Sequence, residues 1–190
     1  MNRSLASLRG SLFRTRCRLF GRRVEIGDGL RLHGRLEIRG KGTVIIGRNC
    51  SIHPVPGNKS RYVTLHTNSP DAVIRIGDGV ALYATRFSCK YAITIGDRCL
   101  IEDASILDTD FHSIDASRED PTYEDPNRCR ISIGKDVSIA SGSTVAKGVV
   151  LGEKTVVGPA SMVTRSVPGN CVVLGNPARP LKPQSAAEER

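Results

Sequence analysis

The sequence predicts an all-β fold, a parallel β-helix wound from six-residue repeats, and three observations carry that expectation. Branched aliphatic residues precede glycine again and again, at Ile26-Gly27, Ile46-Gly47, Ile76-Gly77, Ile95-Gly96, Ile133-Gly134, Leu151-Gly152 and Val157-Gly158. The aliphatic positions keep a spacing of six, and the last block (Ile133, Ile139, Val145, Leu151, Val157, Val163) is unbroken. Aromatic residues are scarce, with four Phe, four Tyr and no Trp in 190 residues, which suits a core stacked from aliphatic layers.

A period of six is neither the 3.6 of a helix nor the 2 of a strand alone. It describes a short strand plus a turn, with the first position always facing inward. Three such sides close a triangular coil, and stacked coils bury one aliphatic column per side. Sixteen positions keep the frame, among them Ile26, Leu32 and Ile38, then Ile76 and Leu82, then Ile95, Ile101 and Leu107. The fifth position is small or aliphatic, as at Val80, Cys99, Ser105, Val137 and Thr155. The Gly, Asp and Asn that follow the first position suit turn backbone with relaxed φ.

Residues 1–23 lie outside the repeat. They hold seven Arg and no acid, so subtracting them from the net charge of +9 leaves +2 for the rest of the chain. The basic balance describes a tail, which argues against a nucleic-acid-binding domain. Leu5, Leu8 and Leu12 share helical spacing, as do Phe13, Cys17 and Phe20. An amphipathic helix of this kind either caps the open end of the coil or makes a peripheral membrane contact, and the two are compatible. Arg interrupts the apolar residues throughout, so no cleaved signal peptide is expected.

The coil domain is expected over 24–175, with loops where the frame breaks. Pro54–Asp71 separates Ile52 from Ile76, and Ser113–Arg130 separates Leu107 from Ile133. Between Leu82 and Ile95 the gap of 13 leaves one residue to bulge near Ser88–Lys90. Long loops on a rigid scaffold are where sites usually sit. Residues 176–190 form a short extension. The six cysteines show no CxxC and no metal-ligand spacing, and read as buried, reduced thiols in a cytoplasmic protein with no metal.

The repeat pattern, and above all ISIGKDVSIASGSTVAKGVVLGEKTVVGPASMVTRSVPGNCVVLGNPARPLK over Ile131–Lys182, resembles the hexapeptide-repeat acyltransferases. The maltose and galactoside acetyltransferases and the capsule or exopolysaccharide acetyltransferases are the most similar groups. The resemblance implies a left-handed coil, acetyl-CoA as co-substrate, a sugar or lipid-linked polysaccharide hydroxyl as acceptor, and a homotrimer with sites shared between subunits. It implies cytoplasmic work, with the Arg-rich tail suggesting the inner membrane face.

Transfer of an acyl group to an alcohol needs a base for the hydroxyl proton and a donor for the developing oxyanion. Four histidines are available. His33 and His53 follow inward aliphatics and should point outward on regular faces; His66 falls in the first loop. His112 sits in Leu107-Asp-Thr-Asp-Phe-His112-Ser-Ile-Asp115, which resembles the segment holding the catalytic histidine of the sugar acetyltransferases. Asp110 or Asp108 could orient its imidazole, since both share its strand parity. By the same resemblance Ser141 presents the oxyanion N–H, Pro159, Thr164 and Arg165 line the pantetheine arm, and Asn176, Arg179 and Lys182 lie near the adenosine end. Two positions depart from the family: Ser138-Ile139-Ala140 replaces a Trp-Ile-Gly, and Pro159 an Ala. No two histidines have the spacing of a γ-class carbonic anhydrase, which leaves a non-enzymatic β-helix scaffold as the rival reading.

Overall fold

The computed structural model describes residues 3–19, 23–55, 58, 60–110 and 125–181. After the amino-terminal helix α1 (Arg3–Leu19) the chain winds through triangular coils. Coil 1 holds β1 (Val24–Ile26), β2 (Arg31–Leu32) and β3 (Leu36–Gly40). Coil 2 holds β4 (Thr43–Ile46), β5 (Ser51–His53) and β6 (Val63–Thr67), and coil 3 holds β7 (Val73–Ile76), β8 (Ala81–Tyr83) and β9 (Arg86–Cys89). Coil 4 runs through β10 (Ala92–Ile95), β11 (Leu100–Glu102) and β12 (Ser105–Leu107). The short helix α2 (Pro126–Cys129) precedes coil 5, formed by β13 (Ile131–Ile133), β14 (Ser138–Ile139) and β15 (Thr144–Val145). Coil 6 is β16 (Val150–Leu151), β17 (Val156–Val157) and β18 (Met162–Val163); β19 (Val172–Leu174) and the antiparallel β20 (Arg179–Pro180) finish the stack.

Each side of the triangle is one sheet whose strands come from successive coils, in the orders β1-β4-β7-β10-β13-β16, β2-β5-β8-β11-β14-β17-β19-β20 and β3-β6-β9-β12-β15-β18. We call them sides A, B and C. All pairings but the last are parallel, and the coil is the left-handed β-helix that the acyltransferase resemblance implied.

Hexads set the register on sides A and B. On side A, Ile26, Ile46, Ile76, Ile95, Ile133 and Leu151 stack in one column; on side B, Leu32, Ile52, Leu82, Ile101, Ile139, Val157 and Val173 do the same. Side C departs from the six-residue frame. Its inward column is Ile38, Leu65, Phe87, Ile106, Val145 and Val163. Coils 3 and 4 therefore turn from side B to side C in five residues, Leu82 to Phe87 and Ile101 to Ile106. Ala104 and Ile106 take the inward places expected for Ser105 and Leu107, which stay partly exposed. The sharp corner is reached through positive φ at Ala84 (45°) and Asp103 (41°). From Phe87 the path to Ile95 is eight residues, two more than a hexad: one replaces the residue saved at the sharp corner, and the other is the single-residue bulge expected near Ser88–Lys90. The expected first loop is also shorter, because β6 lies inside the 54–71 stretch.

The repeated glycines serve packing instead of φ. A Cβ on Gly27 would lie 2.7 Å from Gly47 C, and one on Gly47 would lie 2.6 Å from Gly77 C, so the corners touch through their backbones. Positive φ falls two residues later in every coil, at Gly29, Asn49, Gly79, Arg98, Asp136, Lys154 and Asn170. There the N–H of each turn donates to the turn below, as in Asn49 to the Asp28 carbonyl at 2.7 Å and Arg98 to that of Asp78 at 2.8 Å.

The column at the A-to-B corner explains three of the six cysteines. Leu30, Cys50, Val80, Cys99, Val137, Thr155 and Cys171 occupy equivalent positions, filled by small apolar side chains. All six cysteines are free, and all but Cys171 are buried. Helix α1 closes the first coil. Ala6, Gly10 and Cys17 are buried, with Phe13 packed against the core, and a Cβ on Gly10 would fall 1.9 Å from the Leu30 carbonyl oxygen.

Candidate active site

The corner between sides C and A of coil 4 is where the chain leaves the stack. Residues 111–124, and with them His112, lie outside the described residues. β12 delivers Leu107, after which Asp108 turns inward and is fully buried. Its Oδ1 accepts the N–H of Lys90 at 2.6 Å, and its Oδ2 accepts that of Tyr91 at 2.8 Å. The Cys89 thiol donates to the same Oδ2 at 3.3 Å. Burial raises the Cys89 pKa, and the neighbouring Asp108 charge raises it further.

Strand parity made Asp108 and Asp110 equivalent candidates for orienting His112, and the structure separates them. Both Asp108 oxygens are engaged by the eight-residue corner of coil 3, where they satisfy two backbone donors. Asp108 is therefore held in the fold as the acceptor of that corner. Asp110 is exposed at the mouth of the excursion and forms an ion pair with Lys147 Nζ.

The returning stem begins at Asp125, whose side chain caps α2 by accepting the Asn127 N–H at 2.9 Å. At the end of α2 the Cys129 side chain is buried, and its carbonyl accepts the Gly148 N–H at 2.8 Å. Both stems are therefore fastened to one dipeptide of coil 5: Asp110 to the side chain of Lys147, Cys129 to the backbone of Gly148. Gly148 has φ +74°, and a Cβ there would lie 2.3 Å from the Arg128 carbonyl oxygen. Sequence reasoning missed Lys147 and Gly148, since they occupy an ordinary turn of the regular block. Beside the returning stem, Ser69, Asp71, Lys90, Tyr91, Pro126 and Arg130 line a cavity of about 300 Å³.

The other histidines are placed apart from this corner. His33, His53 and Tyr83 point outward from side B as a ladder of stacked rings, with centroids 4.6 and 4.3 Å apart. Burial, followed by the charges of His33 and Arg31, lowers the His53 pKa. His66 faces out of side C in a groove of about 270 Å³ with Arg39, Tyr62, Arg86, Ser88 and Leu107.

The residues matched to CoA binding fall on two corners of the triangle. Ser141 and Pro159 occupy equivalent turn positions between sides B and C, and the Ala160 N–H donates to the Ser141 carbonyl at 2.9 Å. Asn176 and Arg179 follow near that corner, where the Gly175 N–H donates to Ser161 Oγ at 3.1 Å. Thr164 and Arg165 lie at the corner between C and A, Arg165 taking in coil 6 the position of Lys147 in coil 5. Lys182 lies outside the described residues. One chain thus brings Thr164 and Arg165 to the corner with Asp110, and Ser141 and Pro159 to another. Among the described residues, no group of three or more His, Cys, Asp or Glu is arranged to hold a metal ion.

No family model matches the chain. The galactoside O-acetyltransferase of Escherichia coli (strain K12) is 33% identical over 94 residues, covering 48% of this chain and 44% of that protein. WcaF of the same organism, described provisionally as a colanic acid biosynthesis acetyltransferase, is 39% identical over 103 residues, covering 54% of this chain and 51% of its own length. The chain thus spans about half the length of these curated relatives. Among solved structures, the N-acyltransferase AntD from Bacillus cereus, in complex with dTDP-4-amino-4,6-dideoxyglucose and coenzyme A, superposes with a TM-score of 0.67. It is 19% identical, and the match covers 88% of this chain and 87% of that one. The polysialic acid O-acetyltransferase OatWY has a TM-score of 0.54 at 20% identity, covering 83% of this chain and 87% of its own. At these identities the superpositions speak for the fold. The sequence and structure comparisons both fall on acyl- and acetyltransferases, in agreement with the resemblance read from the hexads and the carboxy-terminal block.

Proposed function

We propose that this chain is an O-acetyltransferase that moves the acetyl group of acetyl-CoA to a hydroxyl of a sugar or lipid-linked polysaccharide unit. The observation that carries the reading is the doubly anchored excursion. The described stems at Asp110 and Cys129 are both fastened to Lys147–Gly148, and the sequence between them holds the segment resembling the catalytic histidine strand of sugar acetyltransferases. The acetyltransferase relatives support the reaction class.

On this reading His112 removes the acceptor hydroxyl proton as its oxygen attacks the thioester carbonyl. The oxyanion of the tetrahedral intermediate is met by the Ser141 backbone N–H. Collapse breaks the C–S bond, and the proton held by His112 passes to the departing CoA sulfur. No covalent enzyme intermediate is needed when both substrates are held together. Asp110, two residues before His112, orients the imidazole and favours its charged form. Pro159, Thr164 and Arg165 line the pantetheine arm, and Arg179 and Lys182, beside Asn176, supply cations for the phosphates at the adenosine end.

The homotrimer that the family resemblance implies has the support of two features. The site groups divide between two corners of one chain, so a neighbour's Ser141 corner completes the His112 corner. Side B also presents an outward column in which Leu100, Val156 and Val172 are exposed, a face suited to a second subunit. The proposed donor, acetyl-CoA, is in keeping with work in the cytoplasm.

The test is release of free thiol from acetyl-CoA against a panel of sugars and oligosaccharides. Acceptor-dependent release that disappears in His112→Ala is the expected result. Acceptor-dependent release retained in that variant overturns the mechanism, and no release with any acceptor favours a non-enzymatic scaffold.

A further inference from the structure

Helix α1 has two apolar faces, and capping the coil uses one of them. Ala6, Gly10, Phe13 and Cys17, spaced i, i+4, i+7 and i+11, lie against coil 1. Leu5, Leu8, Leu12 and Leu19, spaced i, i+3, i+7 and i+14, form a second stripe that stays in solvent, exposed by 43, 57, 64 and 75%. A helical projection at 100° per residue puts the two stripes about 140° apart. Arg9 and Arg16 lie along the border of the leucine stripe, Arg18 lies beyond its other edge, and all three are exposed. Arg14 instead turns down to the coil and pairs with Asp28.

We propose that this outer face of α1 docks on an anionic lipid bilayer surface. The charge decides the occupant. An apolar stripe bordered by Arg, with no acid in residues 1–23, matches a layer of acyl chains beneath negative headgroups. A second copy of α1 would bring the same cations against one another along the contact. The fold also suits the task, because the capping face holds the helix rigidly on the coil while the leucines face away from it. No described helix is long and apolar enough to cross a membrane, so the contact is a surface one. It stands independently of the acetyl-transfer reading, and adds to it a way of holding the site near a lipid-linked acceptor.

The full chain should be sedimented with phosphatidylcholine vesicles and with vesicles containing roughly one-third phosphatidylglycerol. Binding is expected to the anionic vesicles, weakening as salt rises. The pair Leu8→Asp and Leu12→Asp should lower the bound fraction about tenfold or more, since charge then enters the apolar layer. Both positions are more than half exposed, so the thermal unfolding midpoint should not move. Arg9→Glu with Arg16→Glu should also weaken binding while leaving every leucine in place. Failure to bind anionic vesicles, or equal binding by the leucine variant, overturns the proposal. So does a leucine variant that only changes oligomer mass, which would assign the face to a protein contact. Thiol release with a soluble acceptor should be unchanged in all these variants, which separates this test from that of the reaction.

Discussion

The carboxylate of Asp108 accepts the backbone N–H of Tyr91 at 2.8 Å, joining the end of β12 to the corner one coil below. Its other oxygen holds the N–H of Lys90, so one buried side chain satisfies two donors that the ladder leaves over. Asp108→Asn keeps the shape but turns an amide donor toward a backbone donor. The expected loss is about 1–3 kcal/mol, visible as a lower urea midpoint with an unchanged slope. Unaltered stability would mean that the corner finds other acceptors.

Gly148 should tolerate no side chain. Alanine there would need a left-handed φ and would press on the Arg128 carbonyl, at about 1–2 kcal/mol for the conformation alone. The contact lies at the returning stem of the excursion, so that stem should shift while the coils stay stacked. Gly148→Ala is expected to reduce acceptor-dependent thiol release while retaining the far-ultraviolet circular dichroism of the β-helix. The control is Gly79→Ala, also at positive φ but on the A-to-B corner, where a Cβ meets nothing closer than 3.5 Å.

How much of this was legible in the sequence depends on the side of the triangle. Sides A and B repeat with the hexads, so Ile139 or Val157 could be assigned inward on sight. Side C could not be read that way in coils 3 and 4, because both reach it through a five-residue corner that hexad spacing does not announce. Ile106 and Leu107 are both aliphatic, and nothing local says which faces in. The candidate site was legible only as a break in the frame after Leu107, where the chain leaves the coil before returning through α2. What anchors it was not: Lys147 meets Asp110 across 37 positions, through coil stacking that spacing alone does not display.

Phe87 is a large ring in a column otherwise built of aliphatic side chains, and it is fully buried. It follows the shortened corner of coil 3, where the ring fills the layer. Phe87→Ala should cost about 3–5 kcal/mol, and Phe87→Leu much less because Leu65 and Ile106 already pack on either side. Thermal unfolding of the two variants checks the order.

The thiols make stability depend on alkaline pH. Burial raises the Cys50 and Cys89 pKa values and carries Cys99 up to about 11 from 9.0. In the unfolded chain these groups ionise near their ordinary value, so above that pH the unfolded state binds fewer protons than the folded one. Stability is therefore expected to be full below about pH 9 and to fall as pH rises through the folded values. Urea midpoints across that range test the sign, and Cys99→Val should flatten the decline. In Ellman titration at mildly alkaline pH, half-buried Cys171 should react ahead of the buried cysteines.

The pair of Asp110 and Lys147 should matter to activity more than to stability. Both side chains are about one-third exposed, so the ion pair contributes at most about 1 kcal/mol, and neither Asp110→Asn nor Lys147→Met should move the unfolding midpoint far. Their effects on the reaction should differ in kind. If Asp110 favours the charged form of His112, its loss lowers the histidine pKa, and the acid limb of kcat/KM moves to lower pH while kcat falls about tenfold or more. Lys147→Met removes a cation that offsets the Asp110 charge, so the histidine pKa rises and the acid limb moves to higher pH. Opposite displacements from the two variants would identify Asp110 as the residue that positions His112. Displacement in the same direction, or none, would leave the pair as a fastening of the excursion and nothing more.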